Sequence, residues 1–277
     1  MNPKKICVTG DKGFIGRALK NELERQGYIV LGLESWIFDR VRWQDRLHEY
    51  LVNLNPDVVF HVGACSDTLS TDVNNMMKLN VESTHIIADW CQFRSIPFIF
   101  SSSASVYGNG QHPENLYAWS KYMAEQYVTK CRGISLRYFN VYGMDEKHKG
   151  NMASMIYQIY DKNNRGEKIK LFPNNPTRDF VYIKDVVSAN IFAWQFFEQL
   201  KGSYYDVGTC ESRSFEDICK ILNVDYTYTS EDKIPKGYQM FTSADQRKIM
   251  IGWKAEYPLE KGIEDYAHAL RVSEIHI

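Results

Sequence analysis

A chain of 277 residues, 44% hydrophobic and 24% charged, is long enough to bury a sizeable core as one large α/β unit or two modest domains. Its net charge of −1 excludes a global field for nucleic acid or an anionic membrane, so an acidic ligand must be held by a local site. Six scattered cysteines without a C-x-x-C pair read as reduced thiols of a cytoplasmic protein, and no apolar run nears the ~18 residues of a membrane helix.

In chain order, "KICVTG" reads as a strand and "FIGRALKNELERQG" as a helix, with Ile15, Leu19 and Leu23 on one stripe and Gly27 as its stop. "YIVLGLE" is the next strand, "WQDRLHEYLVNL" a helix ended by Pro56, and "DVVFHVGA" a strand. A single helix spans roughly 72–94, with Met77, Val81, Ile86 and Trp90 among its apolar positions. "PFIFSSS", the helix "LYAWSKYMAEQYVTKC" and the strand "ISLRYFNVYG" follow. Strands alternating with helices predict a parallel sheet covered on both faces. After Gly143 the texture changes. "MDEKHKGN" is polar and "DKNNRGEK" is a loop; "IKLFP", "DFVYI" and "SYYDVGT" are strands. A helix starts at Asp185, "SFEDICKIL" is a short helix with a near capping box at Ser214 and Asp217, and "PLEKGIEDYAHAL" is a surface helix.

"CVTGDKGFIG" sets Gly10, Gly13 and Gly16 between a strand and a helix, the dinucleotide-binding arrangement. Gly10 permits a tight turn, Gly13 admits a pyrophosphate to the backbone, and Gly16 lets helix and strand pack closely. The helix start offers unpaired N–H groups to the phosphates. The second strand ends at Glu34, where an acidic side chain accepts from ribose hydroxyls and repels a 2′-phosphate. That favours NAD, while Arg40 and Arg42 nearby leave NADP open.

"YAWSK" places Tyr117 and Lys121 at i, i+4 on one helix face, and the ammonium is expected to lower the pKa of a phenol that shuttles protons. A second Y-x-x-x-K, Tyr257 and Lys261, is read as a surface accident. "FSSSASVYG" ends a parallel strand, where ligands bind, so Ser103 or Ser105 can donate to a substrate oxygen beside Tyr117. No metal-ligand spacing is present; Asp145, Glu146 and His148 read as a solvated loop, and His61 as a hydrogen-bonding residue at a strand end.

"TGDKGFIG", "HVGACSDT", "FSSSASVYG", "YAWSK", "RYFNVYG" and "RDFVYIKDV" resemble the landmarks of the extended short-chain dehydrogenase/reductases that act on nucleotide sugars, over nearly the whole chain. Within that group, "HKGNMASM" and "PKGYQMFTSAD" are most similar to the ADP-heptose 6-epimerases. The resemblance implies an α/β, Rossmann-type doubly wound parallel sheet in residues 1–145 plus roughly 179–209. A smaller C-terminal α/β substrate-binding region would take 146–178 and 210–277. It implies an epimerase that transiently oxidises a sugar carbinol with bound NAD(P). The alternatives are a 4-epimerase, 4,6-dehydratase or reductase on the same scaffold, or a silent NAD(P)-binding regulatory protein.

By motif position Tyr117 and Lys149 would be the two acid/bases, Lys121 would hold the nicotinamide ribose, and Ser103 the reacting oxygen. Gly10, Gly13, Phe14, Ile15, Gly16, Glu34, Gly63, Ala64, Cys65, Ser66 and Asn80 would surround the cofactor with Tyr117 and Lys121. Asn140, Val141, Asn151, Gln158, Phe172, Arg178 and Tyr238 would join Ser103 around the substrate, Arg178 on its diphosphate. Asn151, Gln158 and the loop "FPNNPT" depart from the heptose pattern. The same resemblance implies a nucleotide-diphosphate sugar as partner, a homo-oligomer, and neither nucleic acid nor membrane.

Overall fold

A computed structural model describes residues 3–33, 35–110, 112–234 and 238–275, the side chains at 151 and 273–275 excepted. Along the chain run β1 (Lys5–Thr9), α1 (Phe14–Arg25), β2 (Ile29–Leu33), α2 (Trp43–Leu54), β3 (Val58–His61), α3 (Val73–Met76), a π-helical turn (Met77–Glu82), α4 (Ser83–Arg94), β4 (Phe98–Ser103), α5 (Leu116–Lys130), β5 (Ile134–Tyr138) and β6 (Asn140–Tyr142). Then come α6 (Met155–Asn164), β7 (Ile169–Leu171), β8 (Thr177–Tyr182), α7 (Ile183–Gln195), α8 (Phe197–Leu200), β9 (Ser203–Val207), β10 (Ser212–Ser214), α9 (Phe215–Leu222), β11 (Tyr226–Tyr228) and α10 (Leu259–Ile275).

The chain packs as two units: Met1–Tyr138 with Val187–Asp206 and Met250–Trp253, and Phe139–Val186 with Val207–Ile249 and Lys254–Ile277. These borders differ from those drawn on the sequence at 145, 179 and 209. The apolar run "ISLRYFNVYG" breaks at Phe139: β5 pairs with β4, whereas β6 pairs with β8. One continuous hydrophobic stretch does not reveal which sheet each half joins.

In the first unit six strands lie in the order β2-β1-β3-β4-β5-β9, the Rossmann-type α/β fold. The pairings from β2 through β5 are parallel, with Val8 opposite Gly32, Cys7 opposite Val59 and Ser103 opposite Tyr138. Strand apolar on both faces must be covered on both faces. Cys7, Val59, Phe98 and Phe100 accordingly meet Leu47 and Leu51 of α2, Ile87 and Trp90 of α4, and Ala124 and Val128 of α5. In α1, Leu19 and Leu23 are buried as their spacing predicts, but Phe14 takes the third place and Ile15 is only half-buried. From β1 the chain runs to β2 on one side and then to β3 on the other. That reversal opens a crevice beyond the carboxyl ends of β1 and β3.

The helix expected over 72–94 is interrupted by the π-helical turn. The wider turn rotates Met76 and Ile87 inward in place of Met77 and Ile86. Behind β4 and β5, Arg137 and Glu125 form a buried ion pair, Nε to Oε2 at 2.9 Å, and Ser102 Oγ donates to the same carboxylate at 2.7 Å. The guanidinium lies 3.6 Å from the Tyr204 ring centroid and 4.5 Å from that of Tyr107.

The second unit holds the sheet β10-β8-β6, the parallel pair β11-β7, and α6, α9 and α10. Buried carboxylates staple its loops. Asp179 accepts from Thr209 N, Cys210 N and Ala244 N at 2.8–2.9 Å, and Asp185 accepts from Glu256 N at 2.9 Å and Tyr257 N at 3.1 Å. The Ser214–Asp217 capping box is formed. Three expectations change. The helix assigned to Asp185 begins at Ile183, residues 161–164 close α6 rather than form a loop, and α10 buries Ile263 and Tyr266 on one face.

Candidate active site

The glycine turn sits at the crevice. Gly10 has φ +67°, and a Cβ there would lie 2.6 Å from Gly63 Cα. The loops after β1 and β3 therefore touch backbone to backbone. A Cβ on Gly16 would overlap the Gly10 carbonyl, whereas one on Gly13 would sit 3.3 Å from it. Gly16 is thus a packing glycine, and Gly13 leaves its face open at the start of α1, where no side chain caps the helix. Gly10, Asp11, Leu33, Phe38, Gly63 and Ala64 are among the walls of a cleft of about 250 Å³. Bare glycine backbone beside a helix start fits the pyrophosphate of a dinucleotide, so the residues present suit NAD. Glu34 lies outside the described residues. Arg42 is paired with Asp45 at 2.6 Å and Arg40 stacks 5.4 Å from the Trp36 ring centroid.

A directional hydrogen-bond chain joins this cradle to α5. Gly63 N donates to Thr9 Oγ1 at 2.8 Å, and Thr9 Oγ1 lies 2.7 Å from His61 Nδ1. On the other side of the ring, His61 Nε2 lies 2.9 Å from Thr84 Oγ1, whose hydroxyl donates to Asn80 O at 2.7 Å. Thr84 has spent its proton, so His61 carries hydrogen on Nε2 and accepts on Nδ1. Burial, helped by the Lys121 charge, pushes the His61 pKa down to about 3 and keeps the ring neutral. Asn80 then clamps Cys65, accepting from its N at 2.8 Å and donating to its O at 2.9 Å, and donates to Ser120 Oγ at 2.9 Å. Ser120 Oγ donates to Tyr117 O at 2.7 Å. Asn80 thus holds Cys65 and Ser120, and Ser66 is exposed.

Helix α5 starts at Asn115, whose side chain accepts from Ala118 N at 2.8 Å. That cap sets Tyr117 and Lys121 one turn apart beside the end of β4. Ser103 Oγ accepts from Ser105 N at 3.2 Å and Ser105 Oγ at 2.9 Å, and it is the hydroxyl whose influence on the Tyr117 phenol opposes that of burial. Of the two candidate serines, Ser103 is the one at the phenol and Ser105 orients it. The expected lowering of the Tyr117 pKa by Lys121 does not occur here. Burial raises it and only the Ser103 bond opposes. Removing an ion from water outweighs one hydrogen bond. The buried Lys121 donates from Nζ to Ser101 O at 2.8 Å, and burial presses its pKa down to about 7.

In the second unit Lys149 is half-buried on a 3₁₀ segment, its pKa lowered by burial and raised by Glu146. The expected solvated cluster divides. Asp145 and His148 are exposed, but Glu146 is buried and accepts from Gly143 N at 3.2 Å, Ser154 N at 2.5 Å, Ser154 Oγ at 2.8 Å and Tyr266 OH at 3.1 Å. Phe172, Arg178 and Tyr238 come together as one cluster. The guanidinium lies 5.1 Å from the Tyr238 ring centroid, and Phe172 meets Tyr238 edge-on at 5.1 Å. Burial lowers the Arg178 pKa. Asn140 is exposed and accepts from Thr242 Oγ1 at 3.3 Å, Val141 is half-buried, and Gln158 Nε2 donates to Ala153 O at 2.8 Å. The Asn151 side chain lies outside the described residues. Sequence reasoning missed Thr9, Thr84, Ser120 and Glu146. Each is polar and buried, and only their distant partners, 23 to 120 residues away along the chain, reveal them. Among the described residues no helix is long and apolar enough to cross a membrane.

Residues 6–208 match the model of the NAD dependent epimerase/dehydratase family. An ADP-L-glycero-D-manno-heptose-6-epimerase of Brachyspira hyodysenteriae is 36% identical over 97% of this chain and 98% of its own. That alignment spans 315 positions against 277 residues here, so the relative carries segments this chain lacks. The crystal structure of the Helicobacter pylori ADP-L-glycero-D-manno-heptose-6-epimerase superposes with TM-score 0.80 at 27% identity, covering 97% of this chain and 96% of that one. A Thermotoga maritima UDP-glucose 4-epimerase, solved with UDP-glucose, reaches 0.83 at 23% identity, with 97% and 99% covered, a likeness of fold alone. This chain belongs to the NAD-dependent epimerase/dehydratase family.

Proposed function

We propose that this NAD-dependent nucleotide-sugar epimerase inverts C6 of an NDP-linked heptose, with ADP as the nucleotide. The carrying observation is the full-length likeness to a heptose 6-epimerase combined with Tyr117 and Lys121 one turn apart on α5, the helix that Lys121 fastens to β4, the strand that ends at Ser103. Bound NAD supplies reversible hydride acceptance at the sugar carbon. Ser103 donates to the reacting oxygen and Tyr117 takes or returns its proton. Lys121 holds the nicotinamide ribose. Lys149 is the second proton carrier, needed because a proton must be handled on each face of one carbon. Its lowered pKa brings it nearer to neutral pH, where a lysine exchanges protons most readily. Arg178 grips the diphosphate, with Tyr238 and Phe172 beside the base.

A homo-oligomer fits the exposed Trp119 and Met123 on α5 and Phe93 on α4, and a cytoplasmic setting fits six free cysteines. Incubation with ADP-heptose, followed by NMR at C6, tests the reading. Interconversion of the two C6 epimers supports it, and an unchanged sugar beside a protein that retains NAD returns the choice to the 4-epimerase, dehydratase or silent alternatives.

A further inference from the structure

Asp11, the residue after the first glycine, is a carboxylate with 8% exposure at the cradle. Its position explains a glycine that no turn requires. Gly32 lies inside β2, opposite Val8, and a Cβ there would meet the Asp11 carboxyl at 2.5–2.6 Å. The carboxyl is therefore seated directly on the second strand, one residue before that strand ends. Asp11 shares the cleft wall with Leu33, Ser35 and Phe38. Its Oδ2 accepts from Lys20 Nζ at 3.1 Å, and Oδ1 is its second acceptor.

In folds of this type the carboxyl end of the second strand faces the adenosine ribose. We propose that Asp11 is the specificity-determining residue for the coenzyme: it accepts from the ribose 2′-hydroxyl of NAD, repels the 2′-phosphate of NADP, and neutralises Lys20, which would otherwise serve that phosphate. The inference rests on the chain's NAD dependence and extends it to a residue supplied by the glycine loop, beside the Glu34 that the sequence places after β2. Arg40 on Trp36 and Arg42 on Asp45 are already engaged, and Lys20 is the cation that touches the carboxyl.

The test uses the full-length protein equilibrated with an equimolar mixture of NAD and NADP without sugar, followed by quantifying the nucleotide retained after gel filtration. The wild-type protein retains NAD in large excess. Asp11→Ser and the isosteric Asp11→Asn raise the retained NADP:NAD ratio by about tenfold or more, since like-charge juxtaposition is a strong discriminator. Adding Lys20→Ala to Asp11→Ser reverses most of that gain. An unchanged ratio in both Asp11 variants, at unaltered Tm, overturns the assignment of Asp11 alone. Retention of neither coenzyme by the wild-type protein overturns the NAD reading and this inference with it.

Discussion

Lys121 donates from its ammonium to the Ser101 carbonyl at 2.8 Å, so the lysine one turn beyond Tyr117 is fastened to strand β4. Burial lowers its folded pKa to about 7 from an ordinary value of 10.5. Between those two values the unfolded chain binds more protons than the folded one, so this group makes stability rise with pH across that window. Below about pH 7 its burial penalty is present in full. The urea midpoint of the wild-type protein should rise between pH 7 and 9 relative to that of Lys121→Met. Parallel pH dependences in the two proteins would contradict the buried, depressed lysine.

Tyr117→Phe keeps the ring but removes the proton carrier. Turnover should fall about 10²- to 10⁴-fold, the usual contribution of a general acid or base, with NAD retention unchanged. Steady-state rates and nucleotide content of the purified variant check both halves.

Lys149→Gln should separate oxidation from inversion. If the lysine serves only one face of the carbon, the epimer handled by Tyr117 still reduces bound NAD, visible as absorbance of the reduced coenzyme. Inversion is then lost by at least about 10²-fold. Full inversion in this variant would remove Lys149 from the chemistry.

The second and third glycines of the turn should fail differently. Gly16→Ala drives a Cβ into the Gly10 carbonyl and should destabilise the fold by about 1–3 kcal/mol, read from denaturant unfolding. Gly13→Ala places its Cβ 3.3 Å from the same oxygen, a slight crowding, so its loss should appear mainly in NAD affinity.

Arg137→Met strands the buried Glu125 carboxylate and should cost about 3–5 kcal/mol. The double variant Arg137→Met with Glu125→Leu should recover much of that loss, because no unpaired charge remains.

Local pattern made the α/β alternation, the glycine cradle and the Ser103–Tyr117–Lys121 set legible. Strand composition, turn glycines and i, i+4 spacing are all encoded within a few residues. What stayed hidden depends on residues distant in the chain. The break at Phe139 follows from β6 pairing with β8, not from any change in hydrophobicity. The π-helical turn at Asn80 shifts the buried face by one residue, which a 3.6-residue period does not anticipate. Glu146 reads as solvated beside Asp145 and Lys147, yet it meets Tyr266 from 120 residues away. The Tyr117 pKa turned on burial, a quantity that spacing does not contain.

Hydride carriage is tested most directly with ADP-heptose deuterated at C6 and turned over in ordinary water. Transient oxidation by a retained coenzyme requires the deuterium to remain on C6 through inversion, with no exchange into added free NADH. Loss of the label to water during inversion would contradict it, because inversion would then proceed by removing that hydrogen as a proton.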